Sequence, residues 1–269
     1  MTILDEIFAH KRQEVARRKQ DKPLARLQAE AAQASPALDF TSALQSAGRK
    51  PALIAEVKRA SPSRGILRQD FDPLRFAELY QRNGAEAISV LADERYFQGS
   101  LDTLTQIANH LRDFPPRLPL LCKDFLFDPY QVYEARLAGA DAVLLIAAML
   151  SETQFQELHA LSLELGMEAL VEVHTRAELE RVLPHRPRLV GINNRNLHDF
   201  SVSLDTTLRL RAHVPHGVCV VAESGIHTPF DVCLLAQAGV DAMLVGEALV
   251  TAPDVALAVR ALSGQPGEA

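Results

Sequence analysis

The sequence predicts an α/β fold, a (β/α)8 TIM barrel carrying an N-terminal helical extension. Three observations carry this. One pattern recurs: a glycine, a variable residue, an acid, an alanine and an apolar run. It appears as "GAEAISVL" from Gly84, "GADAVLLI" from Gly139, "GMEALVEV" from Gly166 and "GVDAMLVG" from Gly239. Glycine suits the left-handed residue that ends a helix, and the Val-, Ile- and Leu-rich runs fit strands buried on both faces. Runs of this kind number eight and alternate with helical segments. Finally, no G-x-G-x-x-G follows the first strand and no Walker A motif occurs, which counts against an open doubly wound sheet.

In chain order, residues 1–50 stand outside the repeat and read as two or three helices. Ile3, Leu4, Ile7 and Phe8 recur at helical spacing, and no signal-peptide apolar region is present. This segment is expected to be an extension and not a separate domain, with the barrel over 51–263 and a tail over 264–269. Strands are predicted near 52–58, 87–92, 118–124, 142–147, 168–173, 189–194, 218–223 and 242–246. Helices are predicted at 73–83, 101–112, 129–138, 152–165, 175–182, 204–213, 229–238 and 254–262. Asp72-Pro73, Asp128-Pro129 and Thr228-Pro229 each place an N-cap before a first-turn proline, and Ser151 caps the helix that begins at Glu152.

Charge and cysteine usage narrow the class. The net charge of -6 argues against nucleic acid and anionic membranes as partners. No apolar run approaches the ~18 residues of a membrane-crossing helix. Cys122, Cys219 and Cys233 form no C-x-x-C pair, so neither a disulfide framework nor a zinc knuckle is indicated, and a reducing cytoplasm fits.

Barrel enzymes keep their chemistry at the C-terminal ends of the strands, and side chains at i and i+2 share a face. Glu56 and Lys58 therefore point together at the end of the first strand. Lys123 ends the third, Glu172 lies near the end of the fifth, and Asn193 and Arg195 share a face of the sixth. Glu223 and Ser224 end the seventh, and Gly246 and Glu247 the eighth. Any one pair, such as Glu56 with Lys58 or Glu172 with Lys123, also reads as a compensated buried ion pair. Polar residues ending six strands at one mouth point instead to an active site. Backbone N–H groups in "SGI", around Gly225, and in "GEAL", around Gly246, suit a phosphate, and both glycines also read as ordinary turn residues. Glu172 is an acid–base candidate; Lys123 is a candidate acid or Schiff-base nucleophile. His174 stands alone and reads as structural, no H-x-H or H-E-x-x-H motif suggests a metal, and Cys122 should face the helix layer.

The segments "IAEVKRASPSRG", "ISVLADERYFQGS", "LLCKDFLFDPYQVYEARLAGADAVLLI", "LVEVHT", "VGINNRNL" and "VAESGI", with the N-terminal "ILDEIFAHKRQEV", follow one another across nearly the whole chain. Together they resemble the indole-3-glycerol-phosphate synthase family of tryptophan biosynthesis. The resemblance implies a carboxy-lyase that closes 1-(2-carboxyphenylamino)-1-deoxyribulose 5-phosphate to indole-3-glycerol phosphate, losing carbon dioxide and water, with no metal or organic cofactor. It implies that Lys123 is the general acid and Glu172 the carboxylate active in dehydration. Glu56 and Asn193 would orient the reacting groups, and Lys58 would meet an anionic part of the substrate or share the acid role. Ser61 follows Lys58 in the same loop, and Glu223 and Ser224 line the same mouth. Arg195, Gly225, Gly246 and Glu247 would bind the phosphate, and Phe97, Phe125 and Leu197 would form the pocket for the aromatic ring. The only implied partner is the small phosphorylated substrate, and a monomer is expected. Two departures stand out: the chain has no Trp, so Phe and Leu residues with Phe8 must pack the ring, and Ala248 replaces a small hydroxyl residue. An aldolase-like lyase, a phosphosugar isomerase and a non-catalytic binder of phosphometabolites are the rival readings.

Overall fold

The computed structural model describes residues 3–196 and 199–265. Eight parallel strands close into a barrel: β1 Ala52–Val57, β2 Ala87–Leu91, β3 Leu120–Lys123, β4 Ala142–Ile146, β5 Glu168–Val173, β6 Leu189–Asn193, β7 Cys219–Glu223 and β8 Ala242–Val245. Each strand pairs with its sequence neighbours, and β8 pairs with β1, with Ala52 opposite Ala242. The predicted (β/α)8 architecture is the one observed. The third strand begins two residues later than predicted, because Pro119 has no N–H to give the ladder; its carbonyl still accepts from Ile88 N at 3.0 Å.

Strand alternation divides the core in two. Inward-facing Ile54, Leu121, Leu144, Leu170, Val221 and Leu244 fill the barrel's interior. Outward-facing Leu53, Val90, Val143 and Val171 pack under the helices, and Cys122 lies in this layer, as its position after Leu121 predicts. The predicted N-caps all operate. Asp72 accepts from Leu74 N and Arg75 N, Asp128 accepts from Tyr130 N, and Ser151 and Thr228 each form a capping box.

The extension forms three helices, α1 Ile3–Asp21, α2 Leu24–Ala31 and α3 Phe40–Gln45. Helix α3 sets Phe40 and Leu44, both fully buried, against the interior cluster and so plugs the N-terminal end of the barrel. Burying two such side chains contributes about 1.5–3 kcal/mol each. Helices α1 and α2 dock through Val15 and Leu27 on Tyr130, whose hydroxyl donates to the carbonyls of Arg18 (2.8 Å) and Lys22 (3.0 Å). With that end filled, the pocket lies at the opposite, C-terminal end of the strands. Short elements there escape prediction: a ribbon pairing Ala60–Ser61 with Gly65–Ile66, and single helical turns at Glu94–Phe97, Ala147–Met149 and Glu247–Val250. No described helix is long and apolar enough to cross a membrane.

Candidate active site

The C-terminal strand ends enclose a pocket of about 420 Å³. Glu56, Lys123, Glu172, Asn193 and Glu223 occupy inward positions at the tops of β1, β3, β5, β6 and β7, and all five line it. Lys58, Ser61, Phe97, Phe125, Arg195, Ser224, Gly225, Gly246 and Glu247 join them from the loops. Leu197 lies outside the described residues.

Two ion-pair groups organise the floor. Lys58 Nζ stands 2.7 Å from Glu56 Oε2. Lys123 Nζ lies between two carboxylates, 3.3 Å from Glu172 Oε2 and in direct contact with Glu223 Oε2. Strand register makes room for the second contact. Gly191 on β6 lies beside Glu223, and a Cβ there would overlap Glu223 Oε1 and sit 3.2 Å from Leu170 Cδ1. A glycine inside a strand thus marks a close approach, here of a carboxylate that lines the pocket. Gly246 plays the same part for the other group: a Cβ on it would strike the Glu56 carboxylate and come within 3.1 Å of Lys58 Nζ.

Asn193 works in two directions. Its Oδ1 accepts from Arg195 N at 3.0 Å, and its amide hydrogen-bonds the Glu172 carboxylate. Burial acts to raise the pKa of Glu172, but Lys123, then His174 and Asn193, outweigh it and hold the carboxyl below its usual range. Glu223 goes the other way. Burial dominates, Lys123 offsets it in part, and Glu172 and Glu56 add repulsion, so its pKa is pushed up to about 7. For Lys123, burial favours the neutral amine, yet Glu223, Glu172 and Glu56 together raise the pKa above its ordinary value. The carboxylates around it thus favour the ammonium form of Lys123, which lines the pocket.

His174 stands half-buried behind Glu172, 3.4 Å from Glu172 Oε1 and 3.4 Å from Glu178 Oε2. Its place is a supporting one between two carboxylates. Among the described residues, no group of three His, Cys, Asp or Glu is arranged to hold a metal ion.

The pocket has a charged side and an apolar side. Phe97 and Phe125 face each other with ring centroids 6.1 Å apart, near Leu91, Leu144 and Ile146. On the opposite arc, Ser224 (φ +67°) and Gly225 (φ +80°) follow β7 in successive left-handed conformations, with the Ser224 carbonyl held by Asn194 Nδ2 at 3.1 Å. A left-handed serine costs about 1 kcal/mol, a strain maintained at the site. Arg64 in the loop after β1 reaches Glu247 after β8, at 3.0 Å.

Sequence reasoning missed Ile7, Arg64, Asp124 and Val202, which also line the pocket. Ile7, not Phe8, supplies the extension's part of the wall; Phe8 turns to Phe127, with ring centroids 5.1 Å apart. The helical spacing of Ile7 was visible in the sequence, but not which element its face would meet.

Comparisons with known proteins show the family and the fold. The family model for indole-3-glycerol phosphate synthase matches residues 4–262. An indole-3-glycerol phosphate synthase of Dehalococcoides mccartyi is 52% identical over 260 residues, covering 97% of this chain and 99% of that protein. One from Roseiflexus sp. strain RS-1 is 52% identical over 266 residues, covering 98% of each. Among solved structures, 3-hexulose-6-phosphate synthase from Salmonella typhimurium superposes with a TM-score of 0.63 at 15% identity, over 79% of this chain and 97% of that one. At that identity the likeness concerns the barrel alone. The full-length family match and the relatives sharing half their residues establish that this chain belongs to the indole-3-glycerol phosphate synthase family.

Proposed function

We propose that this chain converts 1-(2-carboxyphenylamino)-1-deoxyribulose 5-phosphate to indole-3-glycerol phosphate, with Lys123 and Glu172 carrying the proton transfers. The observation that supports these roles most is the placement of Lys123: an ammonium kept charged by the carboxylates around it, beside a second group able to take a proton. As the ring carbon bearing the carboxylate attacks the ketone carbon, Lys123 gives its proton to the ketone oxygen. Carbon dioxide then leaves, its bonding electrons returning to the ring system. Loss of the new hydroxyl as water needs a proton delivered to it and one removed from the ring carbon or nitrogen; Glu172 takes the latter. Glu56 and Asn193 orient these groups, Lys58 meets an anionic part of the substrate, and Glu223 holds Lys123 in place. The Phe97–Phe125 side suits the aromatic ring, and the arc carrying Arg195, Gly225, Gly246 and Glu247 suits the phosphate.

The charge state of Lys123 favours an acid over a Schiff-base nucleophile, which needs a free amine. The extension is read as one domain with the barrel, since Ile7 completes the pocket wall. Three free cysteines, two of them buried, fit a cytoplasmic protein, and we read it as a monomer acting without nucleic acid, membrane or cofactor. Incubating the purified chain with the carboxyphenylamino sugar phosphate tests the reading. Indole fluorescence should appear with one carbon dioxide released per product, and borohydride should trap no adduct on Lys123. A trapped adduct, or isomerisation without carbon dioxide release, would overturn it.

A further inference from the structure

Lys11, on α1, is fully enclosed, and no step of the proposed reaction uses it. Its Nζ lies 2.9 Å from Asp124 Oδ1, 3.0 Å from Asp93 Oδ2 and 3.2 Å from Glu14 Oε2. Taking an ammonium wholly out of water is costly unless carboxylates surround it. Burial alone would lower its pKa, but Asp124 and Asp93 outweigh that and keep it charged. Glu14 also contacts Arg18, which pairs with Glu134 at 3.1 Å, so the charge cluster continues into the helix that starts at Pro129.

What matters is where the two aspartates sit. Asp93 leaves β2 and caps the short Glu94–Phe97 helix, accepting from Tyr96 N at 2.7 Å; Phe97 ends that helix. Asp124 stands between Lys123 and Phe125, and its Oδ1 accepts from Phe125 N at 2.8 Å. Ile7 is one helical turn before Lys11, on the same face of α1. One buried ammonium therefore joins three separate pieces of chain, each of which contributes an apolar side chain to the same side of the pocket.

We infer that Lys11 is a positioning residue for the ring-binding side of the pocket, fastening Ile7, Phe97 and Phe125 into one wall. This rests on the reading that the wall receives the substrate's aromatic ring. The phosphate arc, built from β6, β7 and β8, lies across the barrel and does not depend on the Lys11 tie.

The test compares two competitive inhibitors of the full chain: indole-3-glycerol phosphate, which carries the ring, and inorganic phosphate, which does not. In Lys11→Met the inhibition constant of the indole product should rise roughly tenfold, with KM rising in parallel, while that of phosphate stays within about twofold and kcat within about threefold. Equal weakening of both ligands would mean general loosening of the fold and would overturn the inference; so would an unchanged affinity for the product. Should Lys11→Met fail to fold, Lys11→Met combined with Asp93→Asn and Asp124→Asn removes the uncompensated charges while leaving amide oxygens to serve both caps. The same ring-selective loss is expected there, and wild-type affinity for the product would overturn the inference. Phe125→Ala separates the two layers. If it leaves product affinity unchanged, the ring-pocket reading falls and takes this inference with it. If it weakens the product while Lys11→Met does not, the inference alone falls.

Discussion

Lys123 and Glu172 meet at 3.3 Å across the barrel mouth although β4 separates their strands. Their contact depends on barrel curvature, which turns inward-facing side chains from non-adjacent strands toward one centre. In the proposed reaction this puts the acid, Lys123, beside the base, Glu172. Replacing Glu172 by Gln keeps the shape and removes the base. Turnover of the carboxyphenylamino sugar phosphate should then fall by a factor on the order of 10² or more, with KM changed far less. Steady-state indole fluorescence measures both.

Gly191 yields a prediction about packing that also bears on chemistry. A methyl group there has no space beside Glu223 Oε1 and Leu170 Cδ1. Gly191→Ala should cost about 1–3 kcal/mol of stability, as overpacking does. It should also lower kcat, because Glu223 can no longer hold Lys123 in its present position. Denaturant unfolding and kinetics on the same preparation check the pairing of the two losses.

The pH dependence of stability carries opposite signs at two neighbouring carboxyls. Glu223 has a folded pKa of about 7, above its ordinary 4.5, so the native state binds more protons between those values. Its contribution is fully present below the unfolded pKa and is lost as pH rises through about 7. Glu172, held below 4.5, contributes above its unfolded pKa, and that contribution is lost as pH falls through the folded one. Glu223→Gln removes the first effect. Between pH values of about 5 and about 8, the Tm of the wild type should therefore decline relative to that of the variant. Calorimetry across this window checks it, and parallel Tm profiles would contradict it.

Lys58 and Glu56 supply a coupling experiment. Glu56 is buried and Lys58 is its cation at 2.7 Å. Lys58→Met should destabilise the fold by up to about 3 kcal/mol by leaving a buried carboxylate uncompensated. Adding Glu56→Gln should return most of that loss. A double-mutant cycle on unfolding free energies reads the interaction directly.

Much of this site was legible because it depends on local rules. Alternation along a strand assigns Glu56, Lys123 and Glu172 to the inner face, and the Gly-x-acid-Ala turns mark where four of the strands begin. Gly191 carried a readable signal too, as a glycine inside the strand run "VGIN". Ile7 and Lys11 were not legible in their roles. Lys11 meets Asp124 across 113 positions of chain, and amphipathic spacing says that α1 docks without saying where. The Glu94–Phe97 turn and the ribbon after β1 were too short to leave a periodic signal.

In the proposed reaction Lys123 is the acid of ring closure. The most direct test of that role is turnover by Lys123→Ala at saturating substrate, with product affinity measured on the same sample. Indole-3-glycerol phosphate should still bind, with kcat reduced by a factor on the order of 10² or more. A variant that binds the product and still turns over at the wild-type rate would contradict it.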